Sequence, residues 1–132
     1  MGEYVGYLLS GKRVIDYSLA SRSGVFDIEK LKFSGEILTE LDIPFGLFSK
    51  PMPAGSIVGP IKKELIDGLG IKGEPVLVLG SHDQICASLG AGLLSAGDAV
   101  DGMGTVECIT TLFSEKSDNV KMGRQGYPCV PY

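Results

Sequence analysis

Apolar positions in this chain come in short runs, so the elements they predict are short. Glu3 to Ser10 reads as the end of a helix, with Gly11 as its stop. Lys12 to Ser18 is a polar connection, and Leu19–Ala20 and Val25–Phe26 are apolar anchors around Arg22-Ser23-Gly24. Ser34 suits an N-cap, and Ile37, Leu38 and Leu41 recur at helical spacing, which predicts a helix ending at Leu41. The proline-interrupted stretch from Asp42 to Pro53 predicts a loop. Ile57-Val58-Gly59 is extended, and Pro60 suits the first turn of a helix over Lys62–Leu69. Ile61, Leu65, Ile66 and Leu69 share one face of that helix, and Gly70 or Gly73 closes it.

The pattern becomes most organised between Pro75 and Phe113. An apolar run, Val76 to Leu79, halts at Gly80; polar Ser81-His82-Asp83-Gln84 follows, then a small-residue amphipathic segment to Ala96 that predicts a helix. Beyond Gly97, Ala99–Met103 and Val106–Phe113 read as strands meeting at Gly104-Thr105. A helix entrance and a glycine turn both offer backbone N–H groups, a combination suited to a polar ligand. Ser114–Asn119 reads as a charged turn, and Met122–Tyr132 shows no periodicity. Helical segments first, then strand–helix–strand–strand, indicate an α/β class with an incomplete sheet and flanking helices.

Composition narrows the function classes. The chain has 132 residues, one domain's length, and a net charge of −4, which disfavours nucleic acid as a partner. The three cysteines (Cys86, Cys108, Cys129) are too widely spaced for a metal knuckle, so no metal site is expected. The start lacks a secretory pattern, and no apolar run approaches the roughly 20 residues that span a bilayer. No membrane association and a cytoplasmic location are the expectations.

Asp83 is the leading chemical candidate. A carboxylate at a helix entrance can accept a proton from a substrate hydroxyl, although the commoner role of such a residue, or of Ser81, is to cap the helix. The Gln84 amide can bind a polyol or sit in a solvated first turn. His82 is the only histidine, and it and Cys86 are four apart, but no third partner completes a thiol or metal site. Cys86 reads instead as a small buried residue. Gly90 and Gly92 fall inside the expected helix, where close helix-to-sheet contact accounts for them. Gly104-Thr105 offers N–H groups and a hydroxyl to a phosphate, though hairpins commonly carry such turns. Asp16-Tyr17-Ser18 and Arg22 read as a hydrated loop.

Several segments together resemble the FGGY carbohydrate kinases, which include xylulose, glycerol, ribulose and gluconate kinases. They are Gly11-Lys12 with Asp16-Tyr17-Ser18 and Ala20-Ser21, Phe26-Asp27-Ile28, Ser34 with Ile37-Leu38, and Ile43-Pro44. Gly80-Ser81-His82-Asp83-Gln84, Leu89-Gly90, Gly97-Asp98 and Gly104-Thr105 continue the series. The resemblance implies part of an actin-like, ribonuclease-H-like kinase with two domains. Residues 1–96 would end the first, substrate domain, and 97–132 would supply the first hairpin of the second.

By the same resemblance Asp83 is the base for a sugar or polyol hydroxyl, Gln84 and His82 border the substrate, and Gly104 and Thr105 approach the phosphates of ATP with Mg²⁺. Val106 and Glu107 stand where relatives often carry serine and glycine. The family's Asp-x-Gly-Thr phosphate loop and its adenosine segment are absent from this stretch, so an isolated internal fragment of a kinase, inactive alone, is expected. The alternative is a non-catalytic actin-like binding or assembly module, and an incomplete sheet with an open edge favours a homo-oligomer.

Overall fold

The computed structural model describes residues 2–115 and 118–131. They form two compact units, one running to Gly80 and the other covering Ser81–Val130. Strands occur as four separate two-stranded sheets rather than one continuous layer.

In the first unit, helix α1 (Gly2–Ser10) packs against β1 (Val14–Asp16), β5 (Ile57–Pro60) and β6 (Val76–Val78). Gly11 ends α1 as expected: it takes φ +74° and its N–H donates to the Tyr7 carbonyl at 2.7 Å. The next segment corrects the expectation of a polar connection. Val14–Asp16 is a strand, pairing in parallel with β4 (Lys50–Met52), Val14 opposite Lys50 and Asp16 opposite Met52. The proline-rich stretch assigned to loop therefore contains that strand, preceded by a 3-10 turn at Phe45–Leu47. A two-stranded sheet leaves β4 an outer edge, and Pro51, lacking an N–H, is tolerated there.

Asp16 is buried, not hydrated, and its side chain caps α2 (Tyr17–Ser21) by accepting from the Ser18 N–H at 2.9 Å and the Leu19 N–H at 3.2 Å. The Ser18 hydroxyl also donates to this carboxylate. A burial that would otherwise be costly is thus offset by hydrogen bonds. β2 (Phe26–Asp27) and β3 (Lys32–Phe33) form a tight antiparallel pair. Their aromatic rings continue a row: Tyr17 to Phe26 at 5.9 Å, Phe26 to Phe33 edge-on at 5.4 Å, and Phe33 to Phe48 at 4.4 Å.

Helix α3 (Gly35–Glu40) begins as its sequence predicts, with the Ser34 hydroxyl accepting from the Ile37 N–H at 3.4 Å. It buries Leu38 completely. Helix α4 (Lys63–Gly68) starts later than Pro60 suggested, because Pro60 closes β5 opposite Val76. Gly70 ends α4 with φ +64°. Val14, Ala20, Val25, Phe26, Leu38 and Val58 are the buried apolar residues of this unit.

The second unit opens with α5 (Asp83–Gly90), which stops well before Ala96. The stop has a local cause. The Leu93 N–H reaches back to the Ser88 carbonyl at 3.0 Å and the Gly92 N–H to the Leu89 carbonyl at 3.0 Å, the paired bonds of a Schellman motif. That motif needs a left-handed residue, and Gly92 supplies it at φ +97°. Gly92 thus terminates the helix, and a Cβ on Gly90 would meet nothing within 4 Å, so close helix-to-sheet packing is not the reason for either glycine. Leu93, just past the stop, is buried.

Strands β7 (Ala99–Met103) and β8 (Glu107–Thr111) pair in the expected hairpin, Ala99 opposite Thr111 and Met103 opposite Glu107. α5 packs on β7. The tail contains a helix that periodicity did not reveal: α6 (Asn119–Arg124), capped by Asp118, whose side chain accepts from the Lys121 N–H at 3.0 Å. Of the expected charged turn, Lys116 and Ser117 lie outside the described residues, as does the terminal Tyr132.

Candidate active site

The chemistry-bearing residues gather where α5 begins. His82 is the N-cap, with φ −56° and ψ 140°; its carbonyl accepts from the Ile85 and Cys86 N–H groups at 3.0 Å each, and its side chain makes no capping bond. Asp83 is consequently the first helical residue rather than the cap, and Ser81 lies outside the helix. The Asp83 side chain is 89% exposed. Its Oδ1 accepts from the Gln84 N–H at 2.8 Å and lies 3.1 Å from His82 Nδ1. Both contacts fall on one oxygen and leave Oδ2 available. The first-turn N–H groups favour negative charge at this end of a helix. Such a carboxylate, held by one oxygen and open at the other, can accept a proton from a hydroxyl brought against it.

Gln84 follows directly and is half-buried, with its residue on the first turn beside Asp83. Cys86 corrects the expectation of burial: it is exposed, and its Sγ is 3.6 Å from the Ser81 carbonyl oxygen.

Gly104 and Thr105 sit at the tip of the β7–β8 hairpin, with Val106 completing the three-residue connection between the paired Met103 and Glu107. The Gly104 N–H is not open to a ligand as the sequence suggested. It donates to the Val106 carbonyl within the turn at 3.3 Å. Thr105 is exposed, so its hydroxyl is the group this turn presents. Glu107, at the start of β8, is exposed as well.

Of the Gly104-Thr105 pair, only the exposed Thr105 hydroxyl has the chemistry to donate to a phosphate oxygen. Among the described residues no group of three or more His, Cys, Asp or Glu side chains could hold a metal ion. A Mg²⁺ ion that keeps most of its ligands as water and phosphate oxygens needs no such cage. Two shallow concavities in the first unit are lined by Glu36, Ile37, Glu40 and Leu41, and by Glu3, Tyr4, Tyr7, Arg13 and Ser49; neither includes a sequence-selected site residue. No helix among the described residues is long and apolar enough to cross a membrane.

Asp16 is the polar residue whose importance sequence spacing understated. Its position two residues before Ser18, at the junction of a β-branched pair and a small-residue helix, was the available signal for a cap.

Comparison with known proteins places this geometry in context. The model for the N-terminal domain of the FGGY family of carbohydrate kinases matches residues 1–90, which include His82, Asp83 and Gln84. The chain is 39% identical over 93 residues to a glycerol kinase of Agathobacter rectalis, an overlap of 70% of this chain and 18% of that protein. It is 29% identical over 119 residues to a gluconokinase of Bacillus subtilis, covering 90% of this chain and 23% of the other.

In three dimensions it is similar to a ligand-bound xylulose kinase of Lactobacillus acidophilus, with a TM-score of 0.74 and 27% identity over 81% of this chain and 22% of that one. A gluconate kinase from the same organism gives 0.75 at the same identity and coverage. The chain therefore spans about a fifth of the length of these relatives. Its short paired strands and flanking helices correspond to a portion of an actin-like sugar-kinase fold. On the match across residues 1–90, this chain belongs to the FGGY family of carbohydrate kinases.

Proposed function

We propose that the chain serves in an ATP-dependent kinase that phosphorylates a hydroxyl of a sugar or polyol, with Asp83 as general base. The observation that carries this reading is the Asp83 carboxylate at the start of α5, exposed and held through Oδ1 alone. Family membership supplies the reaction class. Oδ2 would take the proton from the acceptor hydroxyl as its oxygen attacks the γ-phosphate of ATP; the O–H bond breaks, the new O–P bond forms, and ADP leaves.

Gln84 and His82 would border the acceptor, the Gln84 amide donating to and accepting from its hydroxyls. The Thr105 hydroxyl would donate to a nucleotide phosphate oxygen, and Gly104 would keep the tip narrow enough for that approach. Mg²⁺, when bound with the nucleotide, neutralises phosphate charge. In this reading residues 1–96 complete the substrate domain and 97–132 begin the nucleotide domain, in a cytoplasmic enzyme. The 132-residue chain, spanning about a fifth of its relatives, is inactive by itself.

The test is a panel of glycerol, gluconate, xylulose and rhamnulose with ATP, using the intact kinase that carries this sequence, its Asp83→Asn variant, and the 132-residue chain. Turnover of one acceptor by the intact enzyme alone supports the reading. Equal turnover by the Asp83→Asn variant removes Asp83 from its role, and turnover by the chain alone removes the dependence on further segments.

A non-catalytic binding or assembly module is favoured by one feature, the exposed apolar side chains of the hairpin: Met103 is 80%, Val106 72% and Ile109 69% exposed. Patches of this kind mark contact surfaces. Absence of ATP-dependent phosphorylation by the intact protein across the panel would select this second reading.

A further inference from the structure

The base proposed above has a neighbour whose geometry suggests a separate task. His82 lies immediately before α5, so its backbone is fixed by the two helical N–H groups that its carbonyl accepts. Its side chain is only 21% exposed, and Nδ1 is withheld from solvent. That nitrogen lies 3.1 Å from Asp83 Oδ1, the oxygen that the Gln84 N–H also contacts at 2.8 Å. Asp83 itself is 89% exposed, and a side chain so open to solvent has rotamer freedom that one backbone contact does not remove. The buried imidazole nitrogen approaches the carboxylate from a second direction, within reach of a hydrogen bond.

We infer that His82 is a positioning residue: through Nδ1 it holds Asp83 Oδ1 against the start of α5 and keeps Oδ2 toward the acceptor hydroxyl. The inference rests on the kinase reading and goes beyond it, because it assigns Nδ1 to the base and not to the sugar. The effect belongs to the chemical step. A base misplaced by about 1 Å costs on the order of a hundredfold in rate without weakening substrate binding.

The two imidazole nitrogens are separable by substitution. An Asn side chain places an N–H near the position of Nδ1, whereas Gln reaches toward Nε2. In the intact kinase, with the panel sugar it turns over fastest, His82→Leu and His82→Gln should each lower kcat by about tenfold or more with KM little changed. His82→Asn should recover most of that loss.

Rise of KM with kcat retained in all three variants, or an Asn variant no better than Leu, overturns the inference. Wild-type activity with a dead Asp83→Asn variant in the same series upholds the kinase reading even then. Inactive wild type instead removes that reading and the inference with it.

A spectroscopic readout guards against misfolded variants. The chain has one histidine, so its imidazole ¹⁵N resonances are unambiguous in the 132-residue protein. The neutral ring should carry its proton on Nδ1 and shift it to Nε2 when exposed Asp83 is replaced by Ala. A tautomer that ignores Asp83→Ala contradicts the inference.

Discussion

Replacing Gly59 with alanine tests how the first unit is held together. Gly59 lies in β5 beside a register irregularity between Ile57 and Gly59, and has φ +145°, a backbone region closed to L-residues at low cost. A Cβ there would also stand 2.7 Å from Lys12 Nζ, which donates to the Val58 carbonyl at 2.6 Å. Two costs follow. Forcing an alanine into this conformation costs about 1–3 kcal/mol. Displacing the flexible lysine end loses a charge-assisted bond at a part-buried site, worth about 1 kcal/mol.

Gly59→Ala should therefore destabilise by about 2–4 kcal/mol, and Lys12→Met alone by about 1 kcal/mol. In the Lys12→Met background the alanine meets no ammonium, so only the backbone term remains. The double variant should be less destabilised than the sum of the singles by about 1 kcal/mol. Urea unfolding followed by far-UV circular dichroism gives the three values, fitted to the transition of the first unit. A Gly59→Ala cost below about 0.5 kcal/mol refutes the strain, and strict additivity refutes the Lys12 contact.

Asp16→Ala should cost about 2 kcal/mol or more in the same assay, since it removes the α2 cap and leaves buried donors unpaired, while Asp16→Asn should keep most of the stability. Leu38→Ala, at a fully buried position, should cost about 3 kcal/mol, against less than about 0.5 kcal/mol for Leu41→Ala at 57% exposure. The turn between β2 and β3 should be acid-labile. Asp27 accepts from the Lys30 N–H at 2.9 Å and the Glu29 N–H at 3.0 Å, and donation by the Lys30 backbone is the main cause holding its carboxyl below the ordinary carboxylate range. A depressed folded-state pKa contributes stability above the unfolded value of about 3.9 and loses it as pH falls through the folded one. Amide exchange at Glu29 and Lys30 should rise below that pH, and Asp27→Asn should abolish the pH dependence.

How much of this was legible in the sequence depends on how local the determining contacts are. Ser34 announces α3 because a cap acts three residues away, and the β7–β8 hairpin was readable because its strands adjoin one short turn. β1 and β4 were missed because each has three residues and their pairing joins segments separated by α2, the β2–β3 pair and α3. No periodicity develops over so short a run, and proline in the partner argued for loop. Apolar spacing alone extends α5 past Gly92, whereas the backbone turn that ends it depends on a left-handed residue. α6 was hidden among glycines, although Asp118 stands where a cap belongs.

At the candidate site the residue types were legible and their division of labour was not. Ser81, His82 and Asp83 are all plausible boundary residues by type, and only backbone geometry makes His82 the cap and frees the Asp83 side chain. The same geometry moved the Gly104 N–H from the ligand to its own turn and left Thr105 as the group on offer.

If Asp83 removes the acceptor proton, turnover of the intact protein that carries this sequence must depend on that carboxylate. Asp83→Asn preserves shape and removes the basic oxygen, so kcat for the preferred sugar should fall by about 10²–10⁴-fold with KM changed little. An Asn variant retaining kcat within a factor of about three would contradict it, and would place the base elsewhere in the enzyme.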